Sequence, residues 1–141
     1  MKPLSLDLVI SGRVPSYMTA VSARKTVRKT LAALGLRSAI LGLAFLSEEK
    51  MAEKNKKYRK LNRPTDVLSF AYPVSKKILS GDILICPAYA SKQAKERSIP
   101  VGQEMKRLLV HGLLHLAGMD HAKEKEAVKM FGLQEKIVKS I

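Results

Sequence analysis

The three histidines of the chain, His111, His115 and His121, all lie in the stretch HGLLHLAGMDH. On a helix, side chains four residues apart project from the same face, so His111 and His115 can direct ring nitrogens at one point. Gly118 permits a sharp reversal of the chain, and that reversal can return His121 to the same point. The spacing therefore predicts a metal site with three histidine ligands.

Zn²⁺ is the common biological metal that suits three neutral imidazoles best, although nickel, cobalt and copper ions would also bind such a set. Three protein ligands leave a fourth position for water, and zinc lowers the pKa of that water to about 7, which is typical of catalytic sites. The other interpretation is that the histidines are ordinary buried core residues. Because residues 108–117 are otherwise aliphatic or glycine, a shared metal would satisfy two polar rings in apolar surroundings, and we expect one zinc ion.

The carboxylates near the motif offer several candidates for a general base. The familiar zinc-peptidase motif has a glutamate directly after the first histidine, where this chain has Gly112. A base would then come from elsewhere, and Asp66, Asp82 and Asp120 are the nearest to the suggestive stretches of sequence. Asp120 can instead hold a histidine ring in one tautomer. The sequence leaves these roles open.

A strongly basic stretch precedes the histidines. Between residues 50 and 63 the chain has seven lysines and arginines and a single acid, Glu53, and the whole chain has 26 basic against 12 acidic residues, a formal charge of +14. Such a stretch can be a solvated helix face, but with a tyrosine available for base stacking it favours a groove that follows nucleic-acid phosphates. The residues that we expect to bind nucleic acid are Lys56, Lys57, Tyr58, Lys60 and Arg63.

Hydrophobic periodicity predicts the elements that must position these residues. Strands are expected at 4–10 and 40–46 and in the stretches TDVLSFAY and GDILIC, and helices at 16–34, 48 to about 58, 87–97, 103–117 and 123–140. A length of 141 residues is typical of one domain. We therefore expect a single domain over residues 1–141, of the α+β class, with a small mixed sheet packed with helices.

The compartment is predicted to be the cytoplasm. A single cysteine, Cys86, cannot form an internal disulfide, and the N-terminal residues do not have the pattern of a signal peptide. The most apolar run, SAILGLAFL, is too short to span a bilayer. We expect no membrane association, and the oligomeric state is left open.

Three stretches together resemble one family. HGLLHLAGMDH resembles the signature of the YbeY endoribonucleases, the bacterial rRNA maturation factors, and NKKYRKLNRPTDVLSF and GDILIC match in the expected order. The resemblance implies a zincin-like α+β fold and a zinc ion held by His111, His115 and His121. It also implies cleavage of single-stranded RNA in 16S rRNA maturation and ribosome quality control, with the small ribosomal subunit as a partner. Met119 stands where family patterns commonly have an aromatic residue.

The family's functional arginine falls on Arg59, which we expect to be catalytic. Its planar fork could stabilise negative charge on the phosphoryl oxygens while a metal-bound water attacks the phosphodiester. Thr65 and Ser69 would contact the substrate or hold the strand. Two other functions stay open: a non-enzymatic factor that binds rRNA or the ribosome with a structural zinc, and, less favoured, a zincin-type metallopeptidase.

Overall fold

The described part of the chain, residues 4–61 and 65–141 of a computed structural model, folds into four strands and five helices. These elements are β1 (Ser5–Gly12), α1 (Ala20–Leu34), β2 (Ser38–Phe45), α2 (Glu48–Arg59), β3 (Val67–Ala71), β4 (Leu79–Ile85), α3 (Pro87–Glu96), α4 (Val101–Leu116) and α5 (Glu124–Lys139). Each overlaps a stretch in which the sequence predicted an element of the same type, and the α+β class is confirmed.

The four strands form one mixed sheet in the order β1-β2-β4-β3. β1, β2 and β4 are parallel, and β3 is antiparallel to β4, with Ser69 opposite Ile83. Among the described strands, β3 is therefore an edge strand of the sheet. This edge is where the site lies.

The main core fills the space between one face of the sheet and the helices α1, α3 and α4. Alternate residues of the strands, such as Leu43 and Ile83, meet Leu31 of α1 and Leu109 and Leu113 of α4 there. All five side chains are nearly inaccessible to solvent, and burying each contributes about 1.5–3 kcal/mol to the hydrophobic term. This packing fixes α4 against β3 and β4.

Gly112 allows α4 to approach the sheet closely. A β-carbon built at this position would lie 3.1 Å from the Cγ2 atom of Ile83 on β4. The position occupied by glutamate in the zinc-peptidase motif therefore faces the sheet. A side chain there would require the Ile83 side chain to shift.

The helix α2 packs on the opposite face of the sheet. Its Met51 is buried against Leu68 of β3 and Cys86. Ser47 caps its start by accepting a hydrogen bond from the Lys50 amide at 3.2 Å. The helix ends at Arg59 and is capped by Lys60, whose φ of 58° is left-handed. This end places Tyr58 and Arg59 beside the β3 edge.

One helix begins later than the sequence pattern predicted. The helix α1 starts at Ala20 rather than at Ser16. Thr19 is its cap, because its hydroxyl accepts a hydrogen bond from the Ser22 amide at 3.1 Å. Just before it, the Met18 amide donates to the Pro15 carbonyl in a turn. None of the helices within residues 4–61 and 65–141 has the length and apolarity needed to cross a membrane.

The last helix, α5, packs along α4. Met130 and Ile137 of α5 are buried against Val110 and Leu114 of α4 in a second apolar cluster. Val110 and Leu114 each precede a histidine by one residue. This contact therefore sets α5 beside the histidine-bearing face of α4.

Candidate active site

The structure brings the three histidines together. His111 and His115 lie in the last two turns of α4, and their Nε2 atoms are 3.1 Å apart. His121 returns from the following loop, and each of the three rings offers a nitrogen within 4.8 Å of the others. The ring centroids are separated by 4.6 to 5.5 Å. The three histidine rings therefore converge in the structure, as their spacing predicted.

The reversal after α4 depends on Gly118 and Asp120. Gly118 has a φ of 91°, a left-handed conformation that residues with a β-carbon rarely adopt. Its amide donates to the carbonyl of His115 at 2.9 Å. Farther along the loop, Asp120 Oδ1 accepts a hydrogen bond from the backbone amide of His121 at 2.7 Å. These contacts fix the position from which His121 turns back to the other two histidines.

The surroundings of His115 favour its neutral form. Burial lowers the pKa of this imidazole below its ordinary value of 6.5, and the neighbouring rings of His111 and His121 lower it further. The Asp120 charge and a hydrogen bond to the backbone of Met119 act in the opposite direction on this pKa. At neutral pH the ring is therefore uncharged, which is the form that binds a metal.

The donor set fits a divalent metal. Two imidazole nitrogens that face each other at 3.1 Å must share a proton or a cation, because two lone pairs at this distance repel. A third nitrogen from His121 lies close enough to bind the same cation. Three imidazoles with a side open to a cleft are typical of a catalytic zinc site.

Two residues of α5 contact His111, and neither was assigned a role from the sequence. The Oε1 atom of Gln134 lies 2.8 Å from His111 Nδ1, and the ring of Phe131 stacks on the His111 ring with centroids 5.8 Å apart. Gln134 is only 5% exposed. The signal available in the sequence was a polar residue at a core position of an amphipathic helix, but its partner cannot be read from that pattern.

The histidines line a cleft of about 570 Å³ between α4, β3 and the end of α2. Arg59, Tyr58, Thr65 and Ser69 also line this cleft. The Tyr58 ring is 51% exposed and packs on Phe70, with centroids 4.8 Å apart. Within residues 4–61 and 65–141, no carboxylate forms a salt bridge with Arg59, so its guanidinium is available to an anion in the cleft.

Three lysines of the basic stretch lie at the end of α2, beside the cleft, and do not line it. Lys56, Lys57 and Lys60 are exposed at the end of α2, and the Lys57 ammonium lies 5.2 Å from the centroid of the Tyr58 ring. Arg63 lies outside the described residues. The lysines thus give a positive surface at the cleft entrance, close to Tyr58.

The three candidate carboxylates have different surroundings. Asp120 and Asp66 line the cleft, and Asp66 Oδ1 accepts hydrogen bonds from the Val67 amide and the Thr65 hydroxyl. Asp82 does not line the cleft: its neighbour Ile83 faces α4, so the Asp82 side chain lies on the opposite face of the sheet. There it accepts a hydrogen bond from the Tyr72 hydroxyl at 2.8 Å.

The fold and the site define a small α+β protein with three converging histidines in a cleft at the edge of a mixed sheet. The family model described as Endoribonuclease YbeY matches residues 14–141. The chain belongs to the Endoribonuclease YbeY family. This confirms the family indicated by the three sequence stretches, and with it the expectation that the chain is an enzyme of an endoribonuclease family.

Several proteins of this name are similar to the chain over most of its length. The Endoribonuclease YbeY of Persephonella marina is 37% identical, covering 88% of this chain and 84% of the relative. That of Aquifex aeolicus is 39% identical, covering 82% and 79%. The solution structure of TM1509 from Thermotoga maritima has a TM-score of 0.66 and 27% identity, and the match covers 94% of this chain and 87% of that chain.

Proposed function

We propose that residues 1–141 form a single domain that cleaves single-stranded RNA with one zinc ion, and that it acts in 16S rRNA maturation and ribosome quality control. The observation that carries the proposal is the cleft, which combines three histidine nitrogens within 4.8 Å of one another and the Arg59 side chain. The relatives named Endoribonuclease YbeY support RNA as the substrate.

In this proposal His111, His115 and His121 hold the zinc ion. When bound there, zinc supplies a Lewis acid for a phosphoryl oxygen and favours deprotonation of water near neutral pH. The neutral form of His115 favours metal binding because the ring carries no positive charge that would repel the cation. Zinc is proposed from the chemistry of the ligands. Imidazoles also bind other late first-row ions, and the metal content of the purified protein identifies the ion.

Arg59 binds the scissile phosphate in this mechanism. A guanidinium presents two parallel N–H groups to two phosphate oxygens, and it remains charged at any physiological pH. Its position in the cleft with the histidines lets it stabilise the negative charge that develops on the phosphoryl group.

The residues around Arg59 bind the rest of the RNA. Tyr58 offers an exposed ring on which an unpaired base can stack. A base within a duplex is already stacked between its neighbours and is not free to do so. Lys56, Lys57 and Lys60, together with Arg63, contact flanking phosphates. Thr65 and Ser69 line the cleft wall and are available to the substrate.

Among the carboxylates, we assign Asp120 to the reaction. It lines the cleft, accepts a hydrogen bond from the His121 amide and partly offsets the lowering of the His115 pKa, so it lies close enough to the histidines to orient them or to act as a base. Asp66 holds the start of β3 through its contacts with Thr65 and Val67. Asp82 has a structural role on the other face of the sheet.

The partners that we propose are rRNA and the small ribosomal subunit, and the proposed compartment is the cytoplasm. The formal charge of +14 favours association with polyanions of this kind. It would also make RNA binding strongly dependent on salt concentration.

The test is cleavage of a labelled single-stranded RNA, compared with the same RNA annealed to its complement, with metal content measured on the same protein sample. We expect cleavage of the single strand only, loss of cleavage on chelation and with His115→Ala, and a reduction of kcat by about 100- to 1,000-fold with Arg59→Ala. Arg28→Ala, an exposed arginine on α1 outside the cleft, is the matched control and should cleave as the wild type does.

Two outcomes would contradict this function. Equal cleavage by the wild type and His115→Ala would indicate a contaminating nuclease. If the protein bound RNA but did not cleave it with any of the metals tested, a non-enzymatic assembly factor with a structural zinc would be favoured instead.

A further inference from the structure

A chain of hydrogen bonds runs from His111 away from the cleft. His111 Nδ1 is paired with Gln134 Oε1 at 2.8 Å, and Gln134 Nε2 donates to Glu135 Oε2 at 3.1 Å. Glu135 accepts two hydrogen bonds from Arg107, at 2.8 and 2.9 Å. Arg107 also donates to Glu104 Oε1 at 3.1 Å, so His111 is connected to a partly buried network of paired charges.

The donor and acceptor roles in this network are fixed by the Glu135 carboxylate. The Glu135 carboxylate only accepts hydrogen bonds, and therefore the group of Gln134 that faces it must be the donating amide nitrogen. The amide oxygen of Gln134 then faces His111, and an oxygen of this kind only accepts. His111 must carry its proton on Nδ1, which leaves the Nε2 lone pair directed toward His115 and His121.

The charges at the far end of this chain are paired, and two of the side chains are largely buried. The Arg107 side chain is 16% exposed and that of Glu104 is 1% exposed, and Arg97 donates a further hydrogen bond to Glu104. The hydrogen bonds from Arg107 lower the pKa of Glu135, so its carboxylate remains ionised at neutral pH. A planar arginine with two parallel bonds holds this carboxylate in one orientation.

Phe131 constrains the same ring from its face. It lies one turn before Gln134 on α5, and its ring is nearly parallel to that of His111, at 13°. One residue thus fixes the edge of the His111 ring and the other fixes its plane. Both come from a helix that supplies none of the three histidines.

We infer that Gln134 is a positioning residue for the metal site. Gln134 sets the tautomer and the orientation of His111, and the Glu135–Arg107 pair in turn fixes the orientation of the Gln134 amide. The inference rests on the proposed function in assuming that a metal binds the histidines. Such partners of metal ligands keep a ring nitrogen free for the metal, and their loss weakens metal affinity by about 10- to 100-fold.

The experiment compares zinc dissociation constants, measured by competition with a chelator, for the wild type, Gln134→Met and Gln134→Glu. We expect Gln134→Met to weaken zinc binding by about 10- to 100-fold, because it keeps the length of the side chain and removes the acceptor. Gln134→Glu retains an acceptor for His111 but replaces the donor to Glu135 with a second carboxylate, so it should bind zinc more tightly than Gln134→Met and more weakly than the wild type. Thr30→Val is the matched control, since it removes a buried hydroxyl on α1 that donates to the Thr26 carbonyl of the same helix.

The tautomer is measured separately on the metal-free protein, from the ¹⁵N shifts of the imidazole rings by nuclear magnetic resonance. We expect a single His111 form with the proton on Nδ1 in the wild type, and a mixture of tautomers in Gln134→Met. A wild-type ring protonated on Nε2, or zinc binding by Gln134→Met within threefold of the wild type, would overturn the inference. If the wild type bound no zinc, the proposed metal-dependent function would fail, while the tautomer measurement would still decide the role of Gln134.

Discussion

The Nε2 atoms of His111 and His115 face each other at 3.1 Å. Because two lone pairs repel at this distance, the pair is stable only with a proton or a cation between the two nitrogens. A proton and a metal therefore compete for one place. Metal occupancy is expected to fall as the pH falls.

The stability of the metal-free protein should depend on the protonation of His115. Burial, and then the neighbouring imidazoles, hold its pKa below 6.5 in the folded state. As the pH falls through 6.5, the unfolded state takes up this proton first, so the free energy of unfolding decreases and then levels off below the folded pKa. Urea unfolding with a chelator between pH 5 and 8 would measure this decrease.

His115→Asn is the control for that measurement. It removes the titrating ring while keeping a polar side chain, and the slope of stability against pH should become smaller than in the wild type. An unchanged slope would mean that other groups cause the pH dependence.

The turn at Gly118 should be sensitive to any β-carbon for conformational reasons alone. Its φ is 91°, and a β-carbon there would have nothing within 4 Å. We expect Gly118→Ala to lower the free energy of unfolding by about 1–2 kcal/mol and to weaken zinc binding, because His121 would be displaced. Urea unfolding and chelator competition on the same sample measure the two effects.

Gly132→Ala is a matched control for the glycine at 118. Gly132 also has open space around it, but it lies inside α5 with an ordinary helical φ. There the same substitution should stabilise the protein by about 0.5–1 kcal/mol. If the two substitutions shifted stability in the same direction, the left-handed conformation would not be what constrains residue 118.

The Cys86 thiol should be nearly unreactive in the folded protein. The side chain is fully buried, and burial raises the pKa of its thiol. Labelling with a disulfide reagent at pH 8 should be about 1,000-fold slower than in urea, since exposure of the thiol requires an opening that costs several kcal/mol. In a Lys29→Cys variant, the introduced cysteine at this exposed position should react rapidly under the same conditions. Rapid labelling of Cys86 in the folded protein would contradict the packing of α2 on the sheet.

The Tyr72–Asp82 pair allows the role of Asp82 to be tested. Its hydrogen bond with Asp82 raises the pKa of the Tyr72 hydroxyl, so Asp82→Asn should lower that pKa in an ultraviolet titration of the tyrosines. RNA cleavage should be retained within a few-fold, because Asp82 lies outside the cleft. A large loss of kcat with an unchanged free energy of unfolding would indicate that Asp82 takes part in the reaction.

Local features of the sequence predicted much of the fold and of the histidine site. His111 and His115 converge because helical spacing alone places them on one face, and Gly118 signals the reversal by its own conformational preference. By contrast, Asp82 and Ile83 are adjacent in the sequence and lie on opposite faces of the sheet. Which face meets α4 depends on the packing of distant elements, and a periodic pattern does not contain that information.

The contact between His111 and Gln134 illustrates the same limit at the site itself. The two residues are 23 positions apart, and they meet because apolar residues of α4 and α5 pack together. The sequence showed a polar residue on the buried side of α5. Only the docking of the two helices identifies its partner.

The position of Gln134 on the last helix has a consequence for the order in which the site can be built during translation. The three histidines precede α5 in the chain, so they are synthesised before the side chain that orients His111. Docking of α5 onto α4 would then complete the site only after the three histidines have been synthesised. A truncation before residue 134 would leave a chain with all three histidines and an incompletely oriented metal site.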